Sequence, residues 1–168
     1  MGVAVAPGNR DELAGALAQA AAAGTTVRPR GGGTHSRCGP AGPSADATLA
    51  TTALGRLVEY TPQDLTITVE AGMSAGRLAE IAAAEGQFWP QAPTGPDATV
   101  GGVLAAAAST LSRLRFGPVR DSVLEVVVAT GDGRLVTAGG RTVKGVSGYD
   151  LPRLMVGSLG SLGVIVEA

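Results

Sequence analysis

Thr25-Thr26-Val27-Arg28-Pro29-Arg30-Gly31-Gly32-Gly33-Thr34 is the stretch whose reading sets the architecture. A β-branched run that breaks directly into three glycines reads as a strand opening on a loop made of bare backbone. Upstream, Val3 to Ala6 is a short apolar run, and Asn9-Arg10-Asp11-Glu12 begins a segment with Leu13, Ala16, Leu17 and Ala20 at helical spacing. Asn9 with Glu12 three residues later is a capping-box-like start, and Gly24 is the natural stop. Strand, helix and strand within about 30 residues make a βαβ opening, and the glycines follow its second strand.

Downstream of a Gly-, Pro- and Ser-rich loop over residues 36–46, three β-like runs occur at Ala47 to Thr51, Leu57 to Tyr60 and Leu65 to Glu70. In the last, Leu65, Ile67 and Val69 alternate with Thr66, Thr68 and Glu70, the period of a strand with one buried face. Ser74 can cap a helix through Leu78, Ile81 and Ala82, ended by Gly86. Val103 to Ala108 is apolar and small-sided, long enough for two helical turns. Val and Leu runs flank Gly131-Asp132-Gly133, a strong hairpin signal. The tail carries Gly157, Gly160 and Gly163 into the strand-like Val164-Ile165-Val166-Glu167.

The 168 residues suffice for one ordinary domain or two small lobes sharing an interface. With 45% hydrophobic and 16% charged residues and a formal net charge of −1, neither disorder nor electrostatic nucleic-acid binding is favoured. Aromatic residues are only 3%, so stacking surfaces for bases are scarce. One Cys and one His exclude an internal disulfide and leave no metal site to expect. No apolar stretch approaches the roughly 18 residues of a membrane span, and the start lacks a basic signal-peptide region, which points to the cytoplasm. The anomaly is backbone: 26 Gly and 10 Pro, well above the usual joint share of about 12%.

Three glycine-rich motifs carry the chemistry. Three successive glycines can adopt the mixed conformations that aim consecutive N–H groups at a phosphate or pyrophosphate, and Arg28 and Arg30 bring positive charge beside them. The triplet alone serves a flexible loop equally well. No Gly-Lys-Ser/Thr follows, and Gly31-x-Gly33-x-x-Ser36 lacks the third glycine of the dinucleotide fingerprint. Pro93-Thr94-Gly95-Pro96-Asp97-Ala98-Thr99-Val100-Gly101-Gly102 sets a glycine pair at a helix start, where unpaired N–H groups favour an anion; a proline-stiffened turn is the plainer account. Gly157-Ser158-Leu159-Gly160-Ser161-Leu162-Gly163-Val164-Ile165 reads as a folded loop with close backbone approach. Lys144, Tyr149 and Asp150 suit a polar ligand, or a surface ion pair beside a half-buried phenol.

Taken in order, Arg30-Gly31-Gly32-Gly33-Thr34, Glu59-Tyr60-Thr61-Pro62-x-Asp64-Leu65-Thr66-Ile67-Thr68-Val69-Glu70-Ala71-Gly72, Ala98-Thr99-Val100-Gly101-Gly102, Arg115-Phe116-Gly117-Pro118-Val119-Arg120-Asp121, Gly148-Tyr149-Asp150-Leu151 and Gly157-Ser158-x-Gly160-Ser161-Leu162-Gly163-Val164-Ile165 resemble the FAD-binding PCMH-type domain of the vanillyl-alcohol oxidase / p-cresol methylhydroxylase superfamily. Within it the chain resembles the FAD-binding subunits of glycolate oxidases. The resemblance implies an α+β domain of two lobes clamping an extended FAD. A small βαβ lobe would occupy about residues 1–52 and a larger, mainly antiparallel sheet with helices about residues 53–168. It implies a pyrophosphate loop at Arg30, Gly31, Gly32, Gly33, Thr34 and His35. Pro93, Thr94, Thr99, Gly101, Gly102 and Ser109 would line the cofactor, and Gly163, Val164 and Ile165 would offer it backbone contacts. The implied chemistry is oxidation of a 2-hydroxy acid such as glycolate or lactate, by hydride transfer to the flavin.

Several residues depart from the family pattern. Many members tether FAD through a His directly after the third glycine; here Thr34 holds that slot and His35 comes one residue late, so noncovalent FAD is expected. Cys38 does not fall at the second tether of relatives. Ser109-Thr110-Leu111 stands where a Gly-containing stretch is usual, and Gly145 where an Asn follows the Lys. Members carry a further C-terminal substrate and cap domain, which the 168 residues are expected to lack. No catalytic residue is therefore assigned, and His35, Lys144, Tyr149 and Arg120 are cofactor or structural candidates. Whether the chain is by itself an enzyme is left open. The expectation is an FAD-binding domain or subunit completed by the missing domain or a companion oxidoreductase subunit, through which it could reach a membrane surface. Two competing readings share the fold: a noncatalytic scaffold that has lost FAD, its cradle filled by side chains such as Arg113 or Arg115, and an NADPH-linked FAD reductase.

Overall fold

In the computed structural model, residues 3–36, 44–91, 95–140 and 150–168 are described. The opening unit comprises β1 (Val3–Val5), α1 (Arg10–Ala22), β2 (Val27–Arg30) and β3 (Ala47–Ala50). Asn9 Oδ1 accepts from the Glu12 amide at 2.9 Å, while the Glu12 carboxylate reaches back to the Gly8 amide at 2.8 Å, a capping box shifted by one residue. At the far end Thr25 donates to Ala20 and Gly24 to Ala21, a Schellman stop with Gly24 at φ 66°. The three strands are parallel in the order β1-β3-β2. The βαβ opening is present, yet its two strands are not neighbours: Val3 and Val27 both pair with Ala47 of the inserted β3.

The remaining strands form β4 (Leu57–Thr61) and β5 (Thr66–Val69), an antiparallel hairpin, and β6 (Glu125–Ala129), β7 (Leu135–Gly139) and β8 (Val164–Glu167), antiparallel in the order β7-β6-β8. Val69 and Ala168 exchange both backbone bonds at 2.8 and 3.0 Å, and Ala71 donates to Val166 at 2.9 Å. These bonds lay the end of β5 along β8 and join hairpin and sheet into one mainly antiparallel surface. At the seam Glu70 is 3% exposed. Its Oε1 accepts from Arg56 Nε and Nη2 at 2.9 and 2.7 Å, and its Oε2 from the Arg56 amide at 2.8 Å. Burial pushes the Glu70 carboxyl up, but the Arg56 bonds and charge together outweigh it and hold the group below the ordinary carboxylate value.

The large sheet is covered on both faces. Val126, Val128 and Ile165 pack with Leu78 of α2 (Ala75–Ala84) and Val103 and Leu104 of α3 (Val100–Ala105). Val127, Ala129, Val164 and Val166 pack with Leu13, Ala14 and Leu17 of α1 and with Leu49 of β3. Two-sided burial is why Val126-Val127-Val128-Ala129 is an unbroken apolar run, and α1 is the element that the two sheets share. The expected helix over residues 103–108 instead starts at Val100 and stops at Ala105. It closes with Ala108 donating to Val103 and Ala107 to Leu104. Ala107 stands at φ 47° where glycine is usual, so the stop carried no residue signal. Short α4 (Arg113–Phe116) and α5 (Leu151–Met155) complete the fold. Among the described residues no helix is long and apolar enough to cross a membrane.

Candidate functional site: a glycine loop wedged against the start of α3

Edge strand β2 ends at Arg30, whose carbonyl accepts from the Thr51 amide at 2.9 Å. From there the chain runs against residues 97–99. A Cβ on Gly31 would stand 2.1 Å from Thr99 Oγ1, and one on Gly32 would stand 1.9 Å from the Asp97 carbonyl oxygen. Gly33 turns the chain at φ 77°, and Ser36 donates to its carbonyl at 3.3 Å. The triplet is therefore a wedged loop rather than a loose one. Among the described residues the amides of Gly31, Gly32, Gly33 and Thr34 find no acceptor. The Arg30 guanidinium folds back over Gly33, with Nη2 2.9 Å from where its Cβ would be, and no carboxylate among the described residues pairs with it. Consecutive free amides beside one guanidinium are the donor set of an anion site.

At the second motif the expectation of free amides is not met. Val100 donates to the Met73 carbonyl at 2.9 Å, Gly101 to Ala71 at 2.7 Å, Gly102 to Thr99 Oγ1 at 3.3 Å and Val103 to the Thr99 carbonyl at 2.9 Å. All four donors of the first turn are used inside the protein, because α3 is docked on the turn after β5. Gly101 lacks a side chain for the same reason: its Cβ would lie 2.7 Å from that of Ala71. Thr99, 3% exposed, both caps α3 and braces Gly31.

The third motif is fastened to the other end of α3, with Gly157 donating to Leu104 at 3.0 Å and Leu159 to Ala105 at 2.9 Å. Gly160 meets the Pro29 ring, its Cβ position 2.9 Å from Pro29 Cγ. Between them lies a crevice of about 250 Å³, bounded by Leu17, Val27, Pro29 and Gly160 to Val164. The Ser158 hydroxyl is buried with no partner among the described residues. Val164 and Ile165 are buried in β8, paired with Ala129 and Val128. The glycine loop thus lies at the end of β2 and the crevice along its side, with α3 bracing both.

Other expected residues sit differently. His35 is half-buried, its Nδ1 3.0 Å from Thr34 Oγ1. Ser109 lies exposed beyond the far end of α3, bonded at 3.4 Å to the Ala107 carbonyl, with the roughly 9 Å length of a six-residue helix between it and Thr99. Arg120 makes a surface pair with Asp121 at 3.8 Å, and Arg115 lies over the Phe116 ring at 5.6 Å. Pro93, Thr94, Cys38, Lys144 and Tyr149 fall outside the described residues. Pro29 was missed by the sequence reading. Its signal was the proline inside a strand, which marks a sheet edge whose backbone a neighbour can approach.

Compared with known proteins, residues 2–139 match the profile of a family described as FAD binding domain. The chain belongs to that FAD binding domain family. It is 34% identical over 167 residues to glycolate oxidase subunit GlcD of Bacillus subtilis (strain 168), covering 98% of this chain and 35% of that protein. To a D-lactate dehydrogenase of Archaeoglobus fulgidus it is 34% identical, covering 99% of this chain and 37% of the relative. To glycolate oxidase subunit GlcE of Escherichia coli (strain K12) it is 41% identical over 113 residues, 66% of this chain and 32% of the relative. A solved structure of alkyldihydroxyacetonephosphate synthase superposes with a TM-score of 0.79 over 98% of this chain and 29% of its own, at 21% identity. That likeness shows the α+β fold alone. This FAD binding domain spans about a third of the length of the curated relatives it matches.

Membership makes FAD the cofactor to test against the site, and the residues present fit it. Its pyrophosphate is an anion of the kind that the free amides at 31–34 and the Arg30 guanidinium accommodate. The crevice beside Pro29 is bordered by the backbone of Gly160 to Val164.

Proposed function

We propose that this chain is the FAD-holding domain of a flavin-dependent oxidoreductase that oxidises a 2-hydroxy acid such as glycolate or lactate. The observation that carries it is the run of amides at Gly31, Gly32, Gly33 and Thr34, left without acceptors among the described residues while those opening α3 are all taken. Arg30, Gly31, Gly32, Gly33, Thr34 and His35 hold the pyrophosphate. Thr99 acts by bracing that loop, Gly163 and Val164 border the crevice, and Gly101, Gly102 and Ile165 keep their assignment as cofactor-contacting residues on family resemblance. Pro93, Thr94 and Ser109 keep their assignment as cofactor-lining residues on family resemblance. When bound, the flavin supplies the acceptor for a hydride; the chain's own residues bind and orient it.

FAD is held noncovalently: Thr34 stands in the tether position, and the His35 ring nitrogen faces the Thr34 hydroxyl. The chain divides near residue 52, as the pairing of β1 to β3 and of β4 to β8 into separate sheets supports. Residues that orient the hydroxy acid and take its proton belong to polypeptide beyond this region, in a further domain or a companion subunit. The scaffold reading would be supported by side chains such as Arg113 or Arg115 filling the cradle; Arg115 instead lies over the Phe116 ring.

The test is an absorbance spectrum of the purified protein, followed by acid precipitation and FAD titration. A flavin spectrum, release of all flavin into the acid supernatant and recovery of colour with fresh FAD are expected. A colourless protein that ignores micromolar FAD overturns the reading, and flavin retained in the precipitate overturns noncovalent attachment. Bleaching by glycolate or D-lactate is expected only once the remaining polypeptide is supplied.

A further inference from the structure

At the far end of α3 from the glycine loop, residues 157–160 hold a strained backbone. Gly157 stands at φ 88°, Leu159 at 53° and Gly160 at 78°. Glycine takes such angles without steric cost, but leucine does not. The Leu159 side chain is 49% exposed, so its own burial does little to offset the strain. Across the junction Ala107 is left-handed as well, at φ 47°, and its Cβ is 3.5 Å from where a Gly157 Cβ would stand. Two backbone bonds fasten the segment to α3: Gly157 donates to the Leu104 carbonyl at 3.0 Å and Leu159 to that of Ala105 at 2.9 Å. A strained residue held by few bonds is a place where local opening is cheap.

What the segment touches shows what its release would change. Gly160 abuts the ring of Pro29, its Cβ position 2.9 Å from Pro29 Cγ. Pro29 lies in the edge strand β2, directly before Arg30 and the glycine loop. That loop in turn is wedged against Thr99, which caps the first turn of α3. β2, the glycine loop, α3 and residues 157–160 therefore make a closed ring of contacts, crossed by the loop at one end of α3 and by the strained segment at the other. We propose that residues 157–160 are a strap coupled to the cofactor loop, shut on α3 and Pro29 while an anion fills residues 31–34 and released more often when they are empty. The inference rests on the FAD reading and adds to it a regulation of that site: cofactor retention is set in part from the far end of α3. Coupling of this kind is reciprocal, so an anion that fixes the loop favours the shut strap, and detaching the strap weakens the anion. Gly160 and Pro29 also bound the crevice of about 250 Å³, so release widens it.

Inorganic pyrophosphate is the probe, because it can fill the glycine loop while carrying no adenosine or flavin to touch the strap. Hydrogen exchange at the Gly157 and Leu159 amides is read with and without it, and its affinity is read by titration. Saturating pyrophosphate is expected to slow exchange at both amides by about fivefold or more. Leu159→Pro removes the donor to Ala105, and Gly160→Ala pushes the strap off Pro29; each is expected to weaken pyrophosphate by about fivefold. Leu159→Asn, which tolerates the left-handed region, is expected to slow exchange at Gly157 in the empty protein by about threefold. Pyrophosphate that binds but leaves Gly157 and Leu159 unchanged overturns the inference alone, as does native affinity in both Leu159→Pro and Gly160→Ala. Failure of the native chain to bind either pyrophosphate or FAD overturns the FAD reading with it.

Discussion

Replacing Gly32 by Ala tests the cofactor loop most directly. The added Cβ would sit 1.9 Å from the Asp97 carbonyl oxygen, against about 3.3 Å for an ordinary C···O approach, so the loop must lift by roughly 1.4 Å. No rotamer relieves the clash because the obstacle is backbone, anchored through Ala98, whose carbonyl accepts from Ala75 at 2.6 Å. A displacement of that size takes a donor out of hydrogen-bond range. Each bond to a charged acceptor is worth about 1.5–3 kcal/mol, and losing one or two of them weakens FAD binding by about a hundredfold. Overpacking also lowers stability by about 1–3 kcal/mol. Gly33→Ala is the graded comparison. Its Cβ meets only the tip of the Arg30 side chain, at 2.9 Å, but it strains a backbone at φ 77° by about 1–2 kcal/mol, for a loss nearer tenfold. Affinity is read from flavin fluorescence on titration and stability from urea midpoints. Should Gly32→Ala bind FAD within roughly twofold of the native chain, the free amides of this loop do not hold the cofactor.

Gly15→Ala serves as the opposite control: nothing lies within 4 Å of its Cβ in the middle of α1, so it should stabilise by up to about 1 kcal/mol and leave FAD affinity unchanged, with any loss of affinity counting against local control by the loop. Gly133→Ala, at φ 83° with its Cβ 2.6 Å from both the Ala14 carbonyl and Ala18 Cβ, should push the β6–β7 hairpin off α1 and cost about 2–3 kcal/mol in urea unfolding; a neutral result would show that the helix gives way freely. Because folding holds the Glu70 carboxyl below its ordinary 4.5, its stabilising contribution is fully present above that value and is lost as pH falls through the lower folded value. Urea midpoints measured from neutral pH downward should therefore decline less steeply in Glu70→Gln than in the native chain, and parallel profiles would remove Glu70 from the acid response.

Regular elements were legible wherever a local device marks them. Asn9 and Gly24 bracket α1, Ser74 and Gly86 bracket α2, and the alternating run yields β5 over Thr66–Val69 against β4, although Leu65 falls in the left-handed turn before it, 77% exposed, and Glu70 is buried rather than on a polar face. What was not legible depends on partners distant in sequence. Insertion of β3 between β1 and β2 is set by which edge of a parallel pair stays open. The left-handed stop at Ala107 is imposed by the contacts of α3 with the segment after α5. The run Val126-Val127-Val128-Ala129 announced a buried strand, but only the packing shows that its two faces belong to different cores.

Glycine abundance is the feature most open to misreading. Taken as exposed backbone for a ligand, Gly101 and Gly31 look alike. In the structure Gly101 is small so that α3 can dock on Ala71, and Gly31 and Gly32 are small so that the loop can seat on residues 97–99. A core built from Ala, Val and Leu sets its elements close together, and backbone meets backbone where larger side chains would hold them apart. Missing side chains alone therefore do not mark a ligand site in this chain. What separates the β2 loop from the other glycine segments is the state of its amides: those opening α3 are all bonded within the protein, while four in a row after Arg30 have no partner among the described residues. An unpaired donor is costly unless water or an anion meets it. Wedging such a row against Thr99 fixes the donors in place before any cofactor arrives, so binding FAD costs little further ordering of the loop.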